Sequence, residues 1–89
     1  MFIIVEHAIT NSDAFFALVP KVADAPSGIK ALQFFPSTTK DRAVCLWDAK
    51  SLDALKGFLE PLSGQSSRNT YYMVDGTKAM GLPTAAAAA

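Results

Sequence analysis

His7 is the one side chain in this sequence whose ordinary pKa lies near neutrality. It can act as a general base or a metal ligand, or it can sit at a strand end held by ordinary hydrogen bonds. Glu6 precedes it and supplies a carboxylate. Cys45, the single cysteine, offers a thiol that could bind a metal, react, or pack as a small hydrophobe. No Lys, Arg or His adjoins Cys45 in sequence to favour its thiolate. His7, Glu6 and Cys45 are the candidate metal ligands. Trp47 brings an indole that can wall a ligand cavity and donate one hydrogen bond, or pack at a subunit seam. Gln33 is an amide inside an apolar run, where burial demands partners. It can orient a ligand or bridge strands. Tyr72, with Asn69 and Tyr71 beside it, adds phenol and amide groups that suit a site or an interface. His7, Gln33, Trp47 and Tyr72 form the candidate ligand-binding set.

Some chemistry is missing from the sequence. It holds no glycine-rich phosphate loop and no paired-histidine helix, so no motif requires a cofactor. A metal ion is the one group that the candidate residues could hold. A single cysteine excludes a disulfide within the chain. Eight basic residues balance eight acidic ones with no basic stripe, which argues against nucleic acid as a partner. The apolar N-terminal run Phe2–Val5 is too short to span a membrane, and no cationic amphipathic stretch suggests a membrane surface. A cytoplasmic location is the default expectation.

The candidate groups need elements to position them. Strands are expected over Phe2–Ile9, Ile29–Phe35, Arg42–Trp47 and Thr70–Val74, where β-branched and aromatic residues concentrate. Ser12 is the expected cap of a first helix, with Phe15, Phe16, Leu18 and Val19 on its apolar side. Pro20 should shorten or bend that helix. Ser51 is the expected cap of a second helix, in which Leu52, Leu55, Phe58, Leu59 and Leu62 recur at helical spacing. Pro61 should end it, leaving Ser63–Ser67 as a flexible connector. Ala85–Ala89 carry no pattern and read as a non-native tail, so residues 1–84 form the single expected domain.

The order β-α-β-β-α-β predicts an α+β fold of ferredoxin-like type. Right-handed crossovers would place both helices on one face of a four-stranded antiparallel sheet. The runs Phe2–Val5, Phe34–Phe35 and Tyr71–Tyr72 put apolar groups on both faces of their strands. The cover expected for the second face is a second copy of the chain, which makes a homodimer.

Order, length and two-sided strands together resemble the dimeric α+β barrel superfamily over about residues 2–75. Glu6-His7, and the run Cys45-Leu46-Trp47-Asp48-Ala49, are similar to the small nickel-binding ferredoxin-like proteins. Members of that group carry a histidine near the end of strand one and a Cys-Leu-x-x-Ala run before helix two. Their helix two supplies a further histidine, which this chain lacks. The resemblance implies a dimeric binding protein. It would hold a small molecule or metal ion between sheet and helices, or at the dimer seam. It also implies an alternative, a cofactor-independent monooxygenase or small isomerase, for which His7, Trp47 and Asn69 would have to converge on one cavity. A third expectation is a structural subunit with a filled interior and no ligand.

Overall fold

The computed structural model describes residues 1–83, so the alanine tail and the expected domain boundary at residue 84 lie outside the described residues. Strand β1 spans Phe2–Ile9. Ile3, Val5 and His7 are buried while Glu6 and Ala8 are exposed, the alternation that a half-buried strand requires. Helix α1 spans Ser12–Ala17. Its cap is Asn11, one residue before the expected Ser12. The Asn11 Oδ1 accepts from the Ala14 N–H at 3.1 Å, and Asp13 lies in the first turn.

Pro20 does bend the path. The α-helix stops, and a 3₁₀ segment Val19–Asp24 takes Pro20 into its first turn, where no N–H is needed. Gly28, at φ +88°, turns the chain into strand β2, Ile29–Pro36. Strand β3 spans Arg42–Ala49.

Helix α2 spans Leu52–Ser63, and the Ser51 Oγ accepts from the Ala54 N–H at 3.0 Å as expected of its cap. Pro61 lies inside this helix instead of ending it. The ring sits on the exposed side, where the carbonyl left without a partner can meet water. Strand β4 spans Ser67–Met73 and begins earlier than the expected Thr70. The serine-rich segment is not a loose connector. Ser63, Ser66 and Ser67 are buried; the Ser63 and Ser66 hydroxyls donate to the carbonyls of Leu59 and Ser63 at the end of α2, and the Ser67 hydroxyl donates to the Asn69 Oδ1. Burial is sustainable because each hydroxyl finds a partner.

The four strands form one sheet in the order β2-β3-β1-β4, with every neighbouring pair antiparallel. Ile3, Val5, Cys45 and Trp47 pack with Leu55 and Leu59 of α2 in one core cluster, and Val22 and Phe58 pack against it. Phe15 of α1 meets the His7 ring edge-on at 5.1 Å between centroids. The opposite face carries Ile4, Leu46 and Tyr72 in register, with Glu6, Val44 and Thr70 in the next row. Tyr72 is 50% exposed there and Phe35 60%. Among the described residues, no helix is long and apolar enough to cross a membrane.

Candidate functional site

The antiparallel register brings three strands together at His7. On β1 it lies opposite Ala43 of β3 and Asn69 of β4. Its neighbour along β1 on the same face, Val5, lies opposite Cys45. Strand periodicity alone therefore sets an imidazole, a thiol and an amide on the helix-covered face within reach of one another.

The His7 Nδ1 is 2.6 Å from the Asn69 Oδ1, and the His7 Nε2 is 3.2 Å from the Cys45 Sγ. Asn69 cannot be turned the other way. Its Nδ2 donates to the Glu60 carboxylate at 2.9 Å and to the Ser63 Oγ at 3.1 Å, and its Oδ1 accepts from the Ser67 Oγ at 2.7 Å. The oxygen must face His7, so Nδ1 carries the proton and donates it. Nε2 is then left bare and accepts from the Cys45 thiol. Beyond Asn69 the chain of bonds continues, with the Tyr71 hydroxyl donating to Glu60 at the surface.

Electrostatics keep the inner pair neutral. Burial lowers the His7 pKa, offset in part by the Asn69 hydrogen bond and the Glu60 charge. Burial pushes the Cys45 thiol up to about 12, and the nearby Trp47 indole pulls it back only slightly. At the outer end, the Tyr71 and Asn69 hydrogen bonds hold the Glu60 carboxyl below its usual range. Tyr71 is raised, chiefly by burial and then by Glu60. The thiol and imidazole therefore rest as an uncharged hydrogen-bonded pair.

His7, Cys45 and Trp47 all line a partly open cavity of about 60 Å³ between the sheet and the helices. Gln33 and Ser63 also line it, but the accessible wall is almost wholly apolar, made by residues such as Phe34, Leu59 and Val22. The space is roughly that of two water molecules, or of a small organic group of a few heavy atoms. Trp47 is 1% exposed, yet its indole N–H has no hydrogen-bond partner.

The structure thus brings together four of the residues named from sequence: His7, Gln33, Trp47 and Cys45. It separates the other two. Glu6 and Tyr72 lie on the open face, because adjacent residues of a strand point to opposite sides. Glu6 cannot join His7 and Cys45 around one ion. Among the described residues, no group of three or more His, Cys, Asp or Glu side chains is placed to hold a metal. Sequence reasoning missed Ser63, Ser67 and Glu60. The spacing of Ser67, Asn69 and Tyr71 along one strand face was visible, but only the register shows that this face meets His7.

No protein-family model, curated protein or solved structure matches this chain.

Proposed function

We propose that this is a ferredoxin-like, homodimeric binding protein whose cavity holds a small, uncharged, mostly apolar molecule. The observation that carries this reading is the cavity of about 60 Å³ itself, whose accessible wall is almost wholly apolar. The ligand is read as uncharged because no Lys or Arg lines the cavity to compensate an anion. An organic molecule suits the site better than a metal ion, since the His7 and Cys45 lone pairs and proton are already engaged with each other.

The single tryptophan makes the test direct. An amide correlation spectrum of ¹⁵N-labelled protein contains one indole signal. Titration with butanone is expected to move it saturably, because the Trp47 ring lines the cavity. An indole signal that does not move would remove this reading.

A second reading is an enzyme of the kind that the superfamily resemblance implies. It is favoured by one observation, that His7 and Trp47 line one cavity while Asn69, outside that lining, orients the imidazole. Turnover of a bound ligand by the purified protein without added cofactor would select it.

A further inference from the structure

Resting on the small-ligand reading of the cavity, we propose that it takes the hydrocarbon end of a short aliphatic molecule, admitted at the edge of β2, and that Ala31 determines how long that end can be. The cavity has a buried floor and a more open rim. His7, Cys45, Trp47 and Leu59 line it and are buried. Val22, Ala31, Gln33 and Phe34 line it and are half-buried, and Val19 is 38% exposed. Val19 and Val22 belong to the 3₁₀ segment, and the other three to β2, an edge strand of the sheet. Access therefore lies between the 3₁₀ segment and the β2 edge, and leads inward to the Trp47 ring.

Two features of β2 shape this passage. A regular strand turns alternate side chains to one face. Here Ala31, Gln33 and Phe34 all line the cavity, because an irregularity in pairing between Ala31 and Gln33 breaks the alternation. Bulges of this kind gather beside active sites, where they re-aim side chains. The second feature is Ala31 itself, which lies directly opposite Trp47 of β3. Among the lining residues it alone has a side chain that ends at Cβ. Its methyl group borders the space that a longer side chain would enter.

The ligand class follows from wall and size. The accessible wall is almost wholly apolar, so a polar group placed against it would lose its hydrogen bonds to water. The hydrocarbon end goes in, and the polar end stays at the rim. A space of about 60 Å³ takes two methyl-sized groups, each comparable to a water molecule at ~30 Å³. Each methylene moved from water into such surroundings should tighten binding about fourfold. Ala31→Val adds two methyl groups, about as much as the cavity holds.

The probes are butanone, with an ethyl end, and 2-pentanone, with a propyl end. Each is titrated into the full chain and its variants, with the Trp47 indole signal as the readout. Ala31→Val is expected to keep a folded amide spectrum and to bind butanone at least ~10-fold more weakly. Ala31→Gly, with one methyl group less, is expected to raise the affinity for 2-pentanone relative to butanone by about fourfold. If butanone moves the indole signal of the unaltered chain and Ala31→Val binds it as tightly, the role given to Ala31 falls and the binding reading stands. If neither ketone moves the signal of the unaltered chain, both fall. Should Ala31→Val unfold, Ala31→Gly decides, and an unchanged ratio of the two affinities would overturn the proposal.

Discussion

Asn69 is fixed on three sides and in turn fixes His7, so its loss should be felt twice. Asn69→Ala removes the acceptor for Nδ1–H and the donor to Glu60 and Ser63. Unfolding by urea is expected to show a loss of about 1–3 kcal/mol, the cost of leaving buried polar groups unpaired. His7 also ties stability to pH. Its folded pKa lies below the ordinary 6.5, so on acidification the unfolded chain takes up a proton that the buried ring resists. Stability is full above that ordinary value and falls as pH drops toward the folded pKa. Glu60 contributes in a lower window, its support present above the ordinary 4.5 and lost as pH falls further. Thermal denaturation should show Tm falling from pH ~7.5 to ~5.5, with a flatter profile in His7→Gln. Residue types announced His7, Cys45 and Trp47 as candidates from sequence. Their shared cavity was not legible, because a strand's chemistry depends on what lies opposite, and register is set by the whole sheet.

The elements were easier to read than their ends. Strand β1 and helix α2 follow from apolar spacing alone, since burial of one face dictates the period. The ends differ where local signals compete. Asn11 and Ser12 are both good caps, and the first one wins. Pro61 was expected to stop α2, but only a carbonyl on the solvent side loses its partner, and the last turn survives. Gly57, four residues earlier on the same exposed side, weakens the helix without serving the packing. A Cβ there would meet nothing within 4 Å. Gly57→Ala is expected to stabilise the protein by about 0.5–1 kcal/mol in urea denaturation. Leu55, fully buried against the sheet, should behave oppositely, and Leu55→Ala should cost roughly 2–5 kcal/mol.

At the scale of the molecule, one face of the sheet carries the helices and the cavity, and the other carries an apolar surface with a few charges. The two-sided apolar pattern of β1 anticipated an apolar open face, for which the expected cover is a second copy of the chain. A second copy placed there would cover Ile4, Phe35 and Tyr72, with Glu6 in the same cross-strand row as Phe35 and Arg42 one row beyond. Sedimentation at micromolar concentration is expected to show a dimer. Tyr72→Glu, which sets a carboxylate in that face at a position 50% exposed in the single chain, should yield a folded monomer. A dimer that persists unchanged in Tyr72→Glu would assign the contact elsewhere. The cavity lies on the far side of the sheet, so the indole signal should still respond to butanone in that variant.

The irregularity in β2 bears on which changes of chain length the protein can absorb. Ala31 lies opposite Trp47, and Gln33 lies opposite Leu46, so Leu32 is the extra residue of a β-bulge. Deleting one residue from a regular strand inverts the parity of all that follows, exchanging inside for outside. Deleting Leu32 would not. Gln33, Phe34 and Phe35 would keep their present partners on β3 in an unbroken ladder, and Phe34 would still face Cys45. Leu32 thus marks a place where a codon can be lost without a phase error, whereas loss of Val44 from β3 would turn Cys45 and Trp47 out of the core. Expression of the two deletions, compared by their amide spectra, is expected to give a folded protein in the first case and an unfolded one in the second.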